Sequence, residues 1–235
     1  MQEHCEDIDV ACDLSKVGGL PPLLATLRDS PHPTLRALAA GLVATVVQNN
    51  PKAQAALLDA GALQAVLHSA RHDPEVAVRS KALLAVSCLV RGCAPAVVAF
   101  RLGDGFGALR AALGEEGLQK RALFLAHHFA GLSDPDLHAM VELGFVRGAT
   151  AALGSADRGC REAGLRFLLE LAHNVDFEAE PRALSDLRHP LLEERLRGQE
   201  AALAGGEEGE AAEEERQLVG DLLTMLRPSA TTAAV

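Results

Sequence analysis

Gly18-Gly19-Leu20-Pro21-Pro22-Leu23-Leu24 returns, reworded, three more times along the chain. The later copies are Gly61-Ala62-Leu63-Gln64-Ala65-Val66-Leu67, Gly105-Phe106-Gly107-Ala108-Leu109 and Gly144-Phe145-Val146-Arg147-Gly148-Ala149. Counted from Gly19, Gly61, Gly105 and Gly144, the steps are 42, 44 and 39 residues. A second marker keeps the same beat. Ala39, Ala82, Ala122 and Ala163 each sit early in an apolar run of helical spacing, at steps of 43, 40 and 41. Two independent markers with one period describe stacked helical modules, each burying its apolar face only against its neighbours.

Between the markers each module has the same grammar. A glycine turn leads into a short apolar helix, Leu20 to Leu27 in the first module. A loop with Asp or Pro follows, as in Asp29-Ser30-Pro31-His32-Pro33 and Asp73-Pro74. A longer helix comes next: Leu35 to Gln48 sets Leu35, Leu38, Ala39, Leu42, Val43, Val46 and Val47 at i, i+3, i+4 and i+7 spacing, which predicts one core-facing stripe. Val78, Ala82, Ala85, Val86 and Leu89 repeat it, and Leu118 to Phe129 and Cys160 to Ala172 supply the third and fourth long helices. A break such as Asn49-Asn50-Pro51 or Gly92-Cys93-Ala94-Pro95 then opens a further helix, Lys52 to Ala60 in the first case. Two helices per module would read as HEAT-like. Three, the reading favoured by the separately bounded Pro51–Ala60 segment, predict an all-α armadillo-repeat right-handed superhelix, a solenoid of about four repeats with N- and C-terminal helical caps. The expected layout is a capping helix over residues 1–17, repeats at 18–60, 61–102, 103–143 and 144–174, and an acidic C-terminal helical cap with a frayed tail over 175–235, with helices at Leu184–Gln199 and Arg216–Leu226.

Composition agrees with stacked helices. Hydrophobic residues make up 49% of the chain but aromatics only 3%, with no Trp or Tyr, so the core is Leu, Val and Ala. Strand-based cores draw on β-branched and aromatic residues instead. The net charge of −10 is uneven: residues 1–175 hold 16 Lys+Arg against 18 Asp+Glu, and residues 176–235 hold 6 against 14. With this balance nothing resembles the strongly basic footprint of a nucleic-acid-binding protein. Five scattered cysteines, an odd number with no CxxC pair, read as free thiols. The acidic opening Met1-Gln2-Glu3-His4-Cys5-Glu6-Asp7 has no apolar core of a signal peptide, and no apolar stretch is long enough to span a bilayer. A cytoplasmic, monomeric protein is expected.

Catalytic chemistry is not written into the chain. Gly103-Asp104-Gly105-Phe106-Gly107 mimics a phosphate loop but follows a helix, where a nucleotide loop needs strand, turn and helix. His127 and His128 are adjacent, so they point about 100° apart on a helix and share a metal poorly. Glu115-Glu116 and Glu213-Glu214-Glu215 are charge runs, and no nucleophile has a recognisable base. No catalytic residue, cofactor or metal is expected. What remains is a ladder of basic and amide groups on the long third helices: Arg36, Arg79, Lys81, Gln119, Lys120, Arg121 and Arg166. By analogy with armadillo folds these would line a concave inner face.

The wording of the modules then carries a family resemblance. Glu6-Asp7-Ile8-Asp9-Val10-Ala11-Cys12-Asp13-Leu14 followed by Gly18-Gly19-Leu20, Gln48-Asn49-Asn50-Pro51-Lys52-Ala53-Gln54, Val78-Arg79-Ser80-Lys81-Ala82-Leu83, Ser87-Cys88-Leu89-Val90-Arg91, Ala99-Phe100-Arg101-Leu102-Gly103-Asp104-Gly105-Phe106 and Gln119-Lys120-Arg121-Ala122-Leu123 occur in order. Together they resemble the armadillo-type nucleotide-exchange factors of heat-shock protein 70 chaperones. That resemblance implies a co-chaperone that grips the chaperone's ATPase domain with its concave face and promotes ADP release. It implies contact roles for Ala11, where a small side chain permits close approach, and for Arg121. Asn49, Arg79, Lys81 and Arg91 are implied groove neighbours. Such factors usually carry an extension ahead of this core, whereas this chain opens almost at the cap. The alternative is a generic armadillo scaffold holding an extended peptide, a mode often built on inner-face Trp and Asn ladders; the chain has no Trp.

Overall fold

The computed structural model describes Leu14 and residues 16–175, 181–204 and 210–226, and these form helices joined by turns. They fall into two compact units, residues 1–121 and 122–235. The first contains α1 (Leu20–Asp29), α2 (Pro33–Val47), α3 (Pro51–Asp59), α4 (Ala62–His72), α5 (Val76–Val90), α6 (Ala94–Leu102), α7 (Gly105–Leu113) and the opening residues of α8 (Gln119–Ala130). Short, medium and long helices follow in rotation, three per module.

Local chemistry sets the helix starts. Proline stands in the first turn of α1, α2, α3 and α6, where its missing N–H is not needed. Asn50 caps α3 by accepting the Ala53 N–H at 3.1 Å, one of the donors a helix N-terminus leaves open. The long helices α2 and α5 run against one another, with α4 laid on α5 and α1 on α2. Ala39 and Ala82 are 5% and 0% exposed. Their small side chains admit the neighbouring helix, so the alanine marker is a packing rule. Val43, Val47, Val78, Leu83 and Val86 seal the seam, each large side chain contributing about 1.5–3 kcal/mol by leaving water. The core stripe is shorter than its periodicity suggests. Burial in α2 runs from Ala39 to Val47, while Leu35 and Leu38 remain 46% and 54% exposed because the leading turns stand clear of the neighbouring helices.

The glycine marker has two physical meanings. The residue just ahead of α4, α7 and α10 adopts a left-handed backbone, Gly61 (φ 78°), Asp104 (φ 54°) and Gly144 (φ 75°), and at α1 the left-handed residue is Gly18 (φ 73°), two places ahead of the helix. Glycine enters this region without steric cost, and Asp tolerates it. Gly19 and Gly105 follow that position and are small for another reason. A Cβ on Gly105 would run into the Phe100 ring, and one on Gly19 into the Leu14 side chain. The structural register is therefore 18, 61, 104 and 144.

The second unit holds the rest of α8, then α9 (Asp134–Glu142), α10 (Phe145–Ala152), α11 (Arg158–Asn174), α12 (Pro181–Leu187), α13 (Pro190–Ala204) and α14 (Glu210–Leu226). Phe145 and Phe167 meet in its core at 6.2 Å between ring centroids, both 0% exposed. Gly164 lets α11 lie close on α10, where a Cβ would come 3.2 Å from the Ala149 carbonyl oxygen. Among the described residues three helices follow Asn174, where two were expected. The run Leu184–Gln199 is broken before Pro190, whose ring disfavours helical backbone in the preceding residue, and the last helix begins at Glu210 rather than Arg216.

Candidate functional site: a basic stripe on the second long helix

One side of α5 escapes full burial. Ser80, Lys81, Leu84, Cys88 and Arg91 recur along it at helical spacing, with Lys81 and Arg91 exposed and the others half-buried. Arg121, at the start of α8, donates from Nε to Ser80 Oγ at 2.8 Å. Arg91 donates from Nε to Ser87 Oγ at 3.2 Å. The Cys88 thiol on the same helix is half-buried. Burial pushes its pKa up, opposed by the positive charges of Arg91 and Arg121. Lys81, Arg91 and Arg121 thus gather on one stripe, each able to donate several hydrogen bonds to carboxylates.

The remaining expected residues have other surroundings. Ala11 lies outside the described residues. Asn49 is exposed at the corner between α2 and α3, with φ 54°. Gly92 holds the matching corner after α5 at φ 69°, so the backbone alone accounts for asparagine at 49. Arg79 is held by both carboxylate oxygens of Glu115, leaving its side chain 18% exposed. It is not the open inner-face cation that the ladder predicts.

Arg36 departs from the ladder in the same way. Its Nε and Nη2 reach Asp73 at 2.6 and 3.0 Å, its Nη1 donates to the Ser30 carbonyl, and its side chain is 12% exposed. Burial would raise the Asp73 pKa, but hydrogen bonds from Arg36 and the Glu75 N–H hold it below the ordinary carboxylate value. Gln119 makes the corresponding short link, to the Leu113 carbonyl at 3.1 Å. In the second unit Arg161 repeats the device, reaching Glu215 at 2.6 and 2.9 Å and the Ser155 carbonyl at 3.0 Å. The ladder therefore contains links between consecutive modules at three of its seven residues, Arg36, Arg79 and Arg121. Its signal was legible: Arg36–Asp73, Arg79–Glu115 and Arg121–Ser80 are separated by 37, 36 and 41 residues, close to one period. The same rule would have found Ser80, which the ladder omitted.

Among the described residues no group of three or more His, Cys, Asp or Glu could hold a metal ion, and no helix is long and apolar enough to cross a membrane. Cys88, Cys93 and Cys160 are free thiols.

Three helices per module, left-handed corners and a row of long helices define an armadillo-repeat protein. A computationally designed armadillo repeat protein for modular peptide recognition superposes with a TM-score of 0.77 over 96% of this chain and 90% of that one, at 16% identity. Residues 10–125 match the SIL1/FES1/HPBP1 C-terminal domain. The Hsp70 nucleotide exchange factor FES1 of Yarrowia lipolytica is 44% identical over 103 residues, which cover 43% of this chain and 36% of the relative. Hsp70-binding protein 1 of Homo sapiens is 29% identical over 201 residues, covering 84% of this chain and 55% of the relative. The chain thus spans between about a third and a little over half of the length of these relatives.

Proposed function

We propose that the chain is a co-chaperone that binds the ATPase domain of a heat-shock protein 70 chaperone and promotes ADP release. The observation that carries this reading is the family match over residues 10–125, which contains all of the implied contact positions. The docking face is the long-helix row. Lys81, Arg91 and Arg121 meet carboxylates of the partner, Ala11 gives close approach, and Asn49 flanks the face. Arg79 acts indirectly, by tying α5 to the next module through Glu115. The protein works as a monomer in the cytosol, with the four-repeat layout between caps.

The mechanism needs no bond-making by this chain. If it binds best to a chaperone whose nucleotide cleft is distorted, linkage requires that ADP affinity fall by the same factor by which ADP weakens its own binding. A hundredfold drop corresponds to about 2.7 kcal/mol, within the usual range of coupling energies. The reciprocal measurement is a direct test. Calorimetric titration into nucleotide-free and ADP-loaded ATPase domain is expected to show markedly tighter binding to the nucleotide-free form. Equal affinities would rule out exchange by this route.

A further inference from the structure

We propose that Gln54 is a positioning residue of the docking face, acting through Arg91; the inference rests on the exchange-factor reading above. Gln54 lies on α3 and is 4% exposed. Its side-chain amide donates to the Cys88 carbonyl at 2.9 Å and the Arg91 carbonyl at 2.8 Å, with a longer contact to Leu89 at 3.4 Å. These carbonyls belong to the end of α5, where a helix runs out of its own N–H donors. Arg91 is the C-cap of α5 and already extended, with φ −68° and ψ 122°. Its backbone is clamped at the carbonyl by Gln54, and its side chain is tied back to Ser87.

The segment Gln48–Gln54 then acquires one physical purpose. Asn49 turns the chain through a left-handed corner, Asn50 caps α3, and α3 delivers Gln54 to the end of α5. The clamp is not a general requirement of the repeat. Counting four residues from the N-caps Asn50, Cys93 and Ser133 reaches Gln54, Val97 and Leu137, and only the first can donate. Apolar residues serve at the two later corners, and a buried amide is retained only where its hydrogen bonds are made. The donor stands at the corner that carries Arg91.

The test is a double-mutant cycle read as affinity for the chaperone ATPase domain, using the full chain as wild type, Gln54→Met, Arg91→Ala and the double variant. Methionine keeps the length and removes the donor. Each single change is expected to weaken binding about five- to tenfold, and the double variant is expected to bind no more weakly than Arg91→Ala alone, because coupled residues are not additive. Unchanged affinity in Gln54→Met, or losses that multiply in the double variant, would overturn the proposal. If Gln54→Met does not fold, Gln54→Lys tests the same point, since lysine can donate to terminal helix carbonyls. It is expected to bind within about twofold of wild type, and a loss as large as that of Arg91→Ala contradicts the role. A folded wild-type chain that does not bind the ATPase domain removes the exchange-factor reading itself.

Discussion

The two units solve one problem with different material. In the first, the arginine of a long helix is answered by an acid at the end of the next short helix: Arg36 by Asp73 and Arg79 by Glu115. In the second, Arg161 is answered by Glu215 from within a long helix, 54 residues onward instead of 36 or 37. The guanidinium still reaches back six residues to a backbone carbonyl in both Arg36 and Arg161. The physical device therefore survives where the sequence period has been lost. Repetition of wording and repetition of force are separate properties.

Glu215 is where the second solution is most exposed to attack. It is 1% exposed and faces Arg161, with Arg158 Nε also 3.5 Å away. Removing one partner strands buried charge, so Glu215→Ala is expected to cost about 3–5 kcal/mol, read as a lower urea midpoint and faster proteolysis within residues 181–226. A loss under about 1 kcal/mol would mean that the staple is ornamental.

The counterpart in the first unit is Asp73→Asn, expected to cost about 2 kcal/mol as charge-assisted hydrogen bonds are lost. Its pH signature is distinctive. The folded pKa lies below the ordinary value of 3.8, so the stabilisation is complete above that value and disappears as pH falls through the folded pKa. The wild-type chain should therefore lose this part of its stability below about pH 4, and Asp73→Asn should show a flatter acid limb. Matching acid limbs would contradict the assignment.

Glycine corners sharpen the comparison further. Gly105→Ala meets the Phe100 ring and is expected to cost about 1–3 kcal/mol by overpacking. Gly144→Ala meets nothing but must keep φ at 75°, a cost of about 1 kcal/mol. The smallest effect is expected at Asp104→Gly, where relief of a left-handed Asp opposes loss of its pairing with Arg71. A change within about 0.5 kcal/mol is predicted by thermal melts, because an exposed pair contributes little.

Much of this is legible in the sequence. The marker steps locate α1, α4, α7 and α10, and the alanines locate the long helices, because both report positions where backbones must turn or approach. Periodicity alone could not show that Leu35 and Leu38 lie beyond the buried stretch, since burial depends on the neighbour's length. Nor could it separate glycines needed for φ from glycines needed for space. Pro190 should have divided the C-terminal helix, and its warning was available. At the candidate site, Lys81, Arg91 and Arg121 could be picked out as basic groups at helical and modular spacing. Arg36 and Arg79 look identical to them in sequence, and only their acidic partners, almost one period away, distinguish a staple from a docking group.

The central claim is that this helical stack loosens another protein's nucleotide by binding alone. Stopped-flow release of fluorescent ADP from a heat-shock protein 70 ATPase domain tests it most directly, with wild type and Ala11→Arg compared side by side. Wild type is predicted to accelerate release by an order of magnitude or more and Ala11→Arg to leave it near the unassisted rate while remaining folded. An unaltered release rate at saturating, independently demonstrated binding of the wild-type chain would contradict the account.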